Sequence, residues 1–144
     1  MSEAQIQRFS RQILLREVGG VGQERLLVTP VRVTGQSAAF EVARRTLLAG
    51  GSPLSDVALL VIGETGPHAD VVIFGSTVAA GCRACLAELT STPSPQRPEL
   101  AVMLGSLAAL TAQRLVLGRG EAVVVARWAD GRLETSHPKC PHSP

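Results

Sequence analysis

The chain has 144 residues, of which 45% are hydrophobic and 18% charged, and this balance predicts one globular domain and excludes a disordered chain. A net charge of +2, with only three phenylalanines and one tryptophan, excludes a basic, aromatic-rich nucleic-acid surface. The polar start at residues 1–12 predicts no signal peptide, and polar residues within 100–117 favour a core helix over a membrane span. We therefore expect a cytoplasmic protein.

The first third of the chain predicts helices that alternate with a strand. Ser2 and Gln5 have the spacing of a capping box, which opens a helix that Gly19-Gly20 is expected to end. Gly50-Gly51 is expected to stop a later helix. The elements expected between these two signals are a short helix over 23–27, a strand over 30–34 and a helix over 38–48.

The remainder predicts a sheet with one more helix. Two continuous apolar runs, 56–63 and 69–76, are typical of strands that are covered on both faces. A proline-rich loop ends at Pro98, which suits the first turn of a long helix over 99–117. Residues 121–136 then predict a hairpin with its turn at 129–131. This order of elements predicts an α/β fold in which helices pack on a sheet.

Residues 8–27, RFSRQILLREVGGVGQERLL, resemble the opening helices of the ubiquitin-activating-enzyme-like family of ThiF, MoeB and HesA type. Bacterial members of that family adenylylate the C-terminal glycine of a small ubiquitin-like sulfur carrier. Residues 81–88, GCRACLAE, resemble the first zinc knuckle of the family, and residues 101–118 resemble its long helix between knuckles. The resemblance implies one shortened and degenerate ThiF-like domain over 1–144. Its parts would be N-terminal helices (1–28), a reduced Rossmann-like sheet with flanking helices (29–78), and a zinc-knuckle and hairpin region (79–144).

The nucleotide loop of that family matches this chain poorly. The family pattern Gly-x-Gly-Gly-x-Gly falls on residues 35–40, where only Gly35 is retained as a cofactor-binding position. Ser37 and Ala38 place β-carbons where a phosphate would approach the backbone, and Phe40 adds a large ring. Residues 51–70 also contain neither asparagine nor lysine, and the acids there flank apolar strands. Because adenylyl transfer depends on managing the charges of ATP, we expect no ATP binding and assign no catalytic residue.

Arg8 and Arg11 match the two arginines of the family's Arg-x-x-Arg-Gln opening. The second of these reaches into the partner subunit's site in family dimers, so the resemblance implies a partner-site role and a homo- or heterodimer. The alternative is that both are solvated residues on an amphipathic helix.

Three cysteines form a pattern that resembles the family's zinc knuckles. Cys82 and Cys85 are separated by two residues, and Cys140 follows near the end of the chain. A structural zinc needs four ligands, and His137 is the preferred fourth, with His142 or Ser143 as alternatives. A free or redox-active thiol pair at Cys82 and Cys85 is the other interpretation.

These observations favour a non-catalytic binding or dimerisation subunit. Its partner would be a ubiquitin-like sulfur carrier, a peptide substrate or a full-length activating enzyme. Residues 75–86 and 129–140 also resemble the leader-peptide-binding proteins of azole-modified peptide pathways, which keep the zinc and have lost adenylylation. One alternative is a minimal adenylyltransferase that uses ATP, alone or with a partner. A second is a stand-alone zinc or thiol module.

Overall fold

The computed structural model describes residues 1–35, 37–58, 60–64, 72–77, 98–119, 123–129 and 132–136. The helices within these residues are α1 (Glu3–Ile13), α2 (Gly19–Val28), α3 (Ala38–Ala49) and α4 (Pro98–Val116). The strands are β1 (Val31–Val33), β2 (Leu60–Glu64), β3 (Val72–Thr77), β4 (Val123–Ala129) and β5 (Arg132–Ser136). The predicted strand over 30–34 and helices over 38–48 and 99–117 are confirmed to within one residue at each end.

The start of the chain confirms one local signal and corrects another. Ser2 caps α1 with its side chain, and the Gln5 side chain accepts from the Ser2 N–H at 2.8 Å, so the capping box is present. The helix, however, ends at Ile13, and Gly19 begins α2 instead of ending α1. Gly19 has a φ of +63° and its N–H donates to the Leu15 carbonyl at 2.9 Å. The glycine therefore closes a turn that reverses the chain between the two helices.

The five strands form one sheet in the order β1-β2-β3-β4-β5. β1 and β2 are parallel, with Val31 opposite Leu60, and α3 lies between them in the chain. All the other neighbouring strands are antiparallel. Ala129 pairs with Arg132, which confirms the predicted hairpin, although the two residues between them lie outside the described part of the chain. The assignment of a shortened Rossmann-like fold stays a prediction.

The first apolar run forms a strand only in its second part. β2 begins at Leu60, whereas the predicted strand begins at residue 56. Ser55 explains the difference, because its hydroxyl accepts from the Val57 N–H at 3.4 Å and its carbonyl accepts from the Ala58 N–H at 3.2 Å. This local turn competes with strand pairing and leaves Val57 86% exposed. Residues 69–71 of the second predicted strand lie outside the described residues.

The core lies mainly between α3 and α4. These two helices make the most extensive contact of any pair of elements among the described residues, and α4 also contacts β2 and β3. From α3, the aromatic ring of Phe40 and the side chain of Leu47 are fully buried. The buried face of α4 consists of small residues around one leucine: Ala101, Leu104, Ala108, Ala109 and Ala112. Small side chains allow two helix backbones to approach closely, and this core positions the carboxyl end of β1.

The helix α4 has the length and composition of a membrane-spanning segment. Its window Glu99–Val116 has a mean hydropathy of 1.3, and 33% of that window is buried inside the protein. The core helix of a soluble protein passes the same test, so the window is weak evidence for a membrane span.

Candidate functional site

The Gly35 turn, where the sequence resemblance places a nucleotide loop, lies at the carboxyl end of β1, and a phenylalanine ring fills the space beside it. Gly35 has a φ of +134°, and a β-carbon built on it would lie 2.8 Å from Cδ2 of Phe40. Phe40 is fully buried on the first turn of α3, and Ser37 is the N-cap of that helix. Gly35 is therefore needed to admit the ring of Phe40. Gln36, between the strand and the helix, lies outside the described residues.

An arginine of the same helix binds the loop backbone. Nη2 of Arg44 donates to the Gly35 carbonyl at 2.7 Å and to the Val33 carbonyl at 3.2 Å. Ligands of α/β proteins bind at the carboxyl ends of the strands. At β1 this edge already holds a cation of the chain itself, which is half-buried and bonded to two carbonyl oxygens.

The two aspartates within residues 51–70 are Asp56 and Asp70. Asp56 lies in the exposed turn before β2, where its backbone carbonyl accepts from Nη1 of Arg32 at 3.3 Å. Asp70 lies outside the described residues. The charged group that the structure shows at the Gly35 turn is the Arg44 guanidinium, whose Nη2 donates to the Gly35 carbonyl.

The two arginines of the opening helix have different surroundings. Arg8 extends toward the end of α3, where its Nη2 donates to the Leu48 carbonyl at 3.4 Å. Its guanidinium lies 5.1 Å from the ring centroid of Phe9, which is itself buried. A cation suits the negative end of the α3 dipole, so Arg8 stabilises its own chain. Arg11, in the last turn of α1, is exposed to solvent.

A buried polar junction connects α2 to the end of α3. Gln23 is fully buried, and its Nε2 donates to the Gly50 carbonyl at 3.1 Å. Gly51, with a φ of +94°, lies against Phe9 and Leu27, where a β-carbon would approach the Phe9 ring to 2.9 Å. The sequence marked Gly50-Gly51 only as a helix stop. Nothing in the sequence around these two glycines predicted their contacts with Gln23, Phe9 and Leu27.

A surface groove follows the seam between α1 and α2, and the sequence did not predict it. It consists of two hollows of about 300 and 510 Å³ that share Gln5 and Leu27. We call this feature the α1–α2 groove. The other residues that line it are Met1, Ala4, Arg8, Phe9, Val21, Glu24, Arg25, Val28, Leu48, Gly51, Ser52 and Pro53. The sequence signal that could have predicted the groove is the pair of valines Val21 and Val28, which are exposed in the structure. The outer face of a helix in a soluble protein is usually polar.

The predicted zinc ligands lie outside the described residues. This holds for Cys82, Cys85, His137 and Cys140, and also for the alternatives His142 and Ser143. Within the described ranges, no group of three or more histidine, cysteine, aspartate or glutamate side chains could hold a metal ion. The zinc site therefore stays a prediction from the sequence pattern.

No protein-family model matches the chain, and no curated protein sequence matches it. The resemblance to ThiF- and MoeB-type enzymes accordingly rests on the residues that carry it, above all residues 8–27 and 81–88.

Proposed function

We propose that this chain is a non-catalytic binding or dimerisation subunit of the ThiF/MoeB type. It would hold a ubiquitin-like sulfur carrier, a peptide substrate or a full-length activating enzyme. The observation that carries the proposal is the packing of Phe40 on Gly35. A glycine-rich loop binds phosphate because nothing covers its backbone. Here an aromatic ring covers it, and the ring belongs to the core that joins α3 to α4.

The charge arrangement supports the same proposal. Catalysis of adenylyl transfer requires cations and metal ligands directed at the phosphates. Arg44 places a cation at this edge of the sheet, but its Nη2 already donates to the carbonyls of Val33 and Gly35. Residues 51–70 contain no lysine that could replace it. A site with these properties suits the binding of a protein partner better than the chemistry of ATP.

The remaining parts of the proposal come from the sequence resemblance. One structural zinc would be held by Cys82, Cys85, Cys140 and His137, which places the metal in the C-terminal region and away from the Gly35 turn in sequence. A closed zinc site of this kind stabilises a fold and leaves no position open for a substrate. The protein would act in the cytoplasm, without a nucleic-acid or membrane partner.

A calorimetric titration with Mg-ATP tests the loss of nucleotide binding. A full-length activating enzyme in the same buffer serves as the positive control, and we expect heat from that enzyme and none from this chain. Micromolar affinity of this chain for Mg-ATP would replace the proposal with the alternative of a minimal adenylyltransferase.

Co-purification from the natural host tests the binding role. We expect the tagged chain to retain a full-length activating enzyme, a sulfur carrier or a modified peptide precursor, each identified by mass spectrometry. Protein that contains zinc but retains none of these partners would favour the second alternative, a stand-alone zinc or thiol module.

A further inference from the structure

We infer that the α1–α2 groove is the docking site for a short acidic and apolar peptide segment of the protein partner. This inference deepens the proposed function and rests on it, because it assumes that the chain binds another protein. It concerns the first two helices, which are far in the sequence from the predicted zinc ligands, and it does not depend on the Gly35 turn.

The shape of the groove suits a peptide that inserts apolar side chains. Its two hollows, of about 300 and 510 Å³, have Gln5 and Leu27 in common as lining residues. The walls carry Val28, which is 76% exposed, Val21, which is 67% exposed, and Leu48. Burial of such apolar surface is favourable by about 25 cal/mol per Å². A segment with two apolar side chains, one for each hollow, would cover these walls.

The charges on the groove select the polar residues of that segment. The lining contains the cations Arg8 and Arg25, and its one acidic side chain, Glu24, accepts from the N-terminal ammonium of Met1 at 3.1 Å. After this neutralisation the lining has a net positive charge. Peptide carboxylates that flank the apolar side chains would therefore meet Arg8 in one hollow and Arg25 in the other.

This arrangement corresponds to the recognition of an amphipathic segment in a groove. The apolar side chains supply affinity, and the charges at the rim orient the segment and reject a basic one. Arg8 is already held at the end of α3 by its bond to the Leu48 carbonyl, so part of the cost of ordering its side chain is met before binding.

An NMR titration tests the inference on the intact protein. Isotopically labelled protein is titrated with an acetylated, amidated peptide of leucine and glutamate, and separately with the same peptide carrying lysine in place of glutamate. We expect amide shift changes that cluster on α1, α2 and residues 51–53, and tighter binding of the glutamate peptide. Equal binding of both peptides, or shift changes elsewhere on the described surface, would overturn the inference.

Two matched pairs of surface variants locate the site. Arg25→Glu should lower the preference for the glutamate peptide about threefold, the size of one exposed ion pair, whereas Arg16→Glu outside the groove should not. Val28→Gln should weaken both peptides, whereas Val57→Gln, which removes another strongly exposed valine outside the groove, should not. All four substitutions lie at exposed positions, so thermal melting should show that each variant remains folded. If the control variants act as strongly as their groove counterparts, the inference is wrong.

The outcome is separable from that of the proposed function. If the chain retains a host partner and Val28→Gln does not weaken that complex, the binding role stands and the groove is not its site. If the chain retains no partner and neither peptide binds, both proposals fail.

Discussion

Gly105 in α4 lies against the Ala39 carbonyl oxygen in α3, so closely that a β-carbon at position 105 would overlap that oxygen. The same β-carbon would also approach Cβ of Val42 to 2.7 Å. The close approach of the two helices also explains the alanines on the buried face of α4, because larger side chains there would force the helices apart. This contact fixes the position of α3 and, through it, the position of the Phe40 ring beside Gly35.

Gly105→Ala is expected to destabilise the protein by about 1–3 kcal/mol, because the added methyl group must displace a helix backbone and not a flexible side chain. The matched control is Gly20→Ala in α2, where an added β-carbon has no neighbour within 4 Å. That control should be neutral or stabilising by up to about 1 kcal/mol. Urea denaturation measures both. Equal stability of the Gly105→Ala variant and the unmodified protein would contradict the close approach of the helices.

Phe40→Ala should cost about 3–5 kcal/mol, since it removes a fully buried aromatic ring from the core. Phe40→Leu retains most of the apolar volume and should cost less, which makes it the safer variant for binding studies. Neither substitution should create affinity for Mg-ATP, and restoring glycine at Ser37 and Ala38 as well should not do so either, because residues 51–70 still contain neither lysine nor asparagine. ATP binding by Phe40→Leu would show that the ring alone blocks an otherwise competent site.

Arg8→Ala should lower stability by about 0.3–1 kcal/mol, because it removes the cation at the C-terminal end of α3. Arg11→Ala should leave stability within about 0.5 kcal/mol, as expected for an exposed substitution. In a complex with a full-length activating enzyme, Arg11→Ala should instead reduce the partner's adenylylation rate while the complex persists. Dissociation of that complex would identify Arg11 as an interface residue and not as a donor to the partner's active site.

The purified protein should contain about one zinc per chain when no chelator is used, by metal analysis. Cys82→Ser, Cys85→Ser and Cys140→Ser should each lose the metal, and because structural zinc contributes directly to folding, each should also lose stability. His137→Ala should weaken zinc binding, whereas His68→Ala serves as the control. Unchanged zinc affinity in His137→Ala would mean that His142, Ser143 or water is the fourth zinc ligand.

Light scattering should give a mass larger than the 15.1 kDa of one chain, because the exposed apolar side chains of α1, α2 and their connection require cover. The most exposed of them is Leu14, at 84%. A mass near 15.1 kDa at high protein concentration would exclude the homodimer. Failure to co-purify with an activating enzyme would exclude the heterodimer.

The sequence by itself determined the features that depend on residues close in the chain. The Ser2 side chain accepts from Gln5 only three residues along the chain, Gly51 follows the end of α3 with a φ of +94°, and Pro98 begins α4. The sequence alone likewise shows that residues 35–40 contain a single glycine. The local signals failed at Gly19, because the same residue can end one helix or begin the next, and only the direction of the following chain decides between the two.

The tertiary structure decided the features that join distant residues. Arg8 meets the Leu48 carbonyl forty positions away, and Gln23 meets the Gly50 carbonyl across 27 positions. Helix packing also determines the hydrogen bonds of Arg44 to the end of β1. It likewise determines the shape of the α1–α2 groove. Propensity and spacing describe a residue's preference for a local conformation, whereas the partner of a long, flexible polar side chain is set by which backbone groups the packed helices bring within its reach.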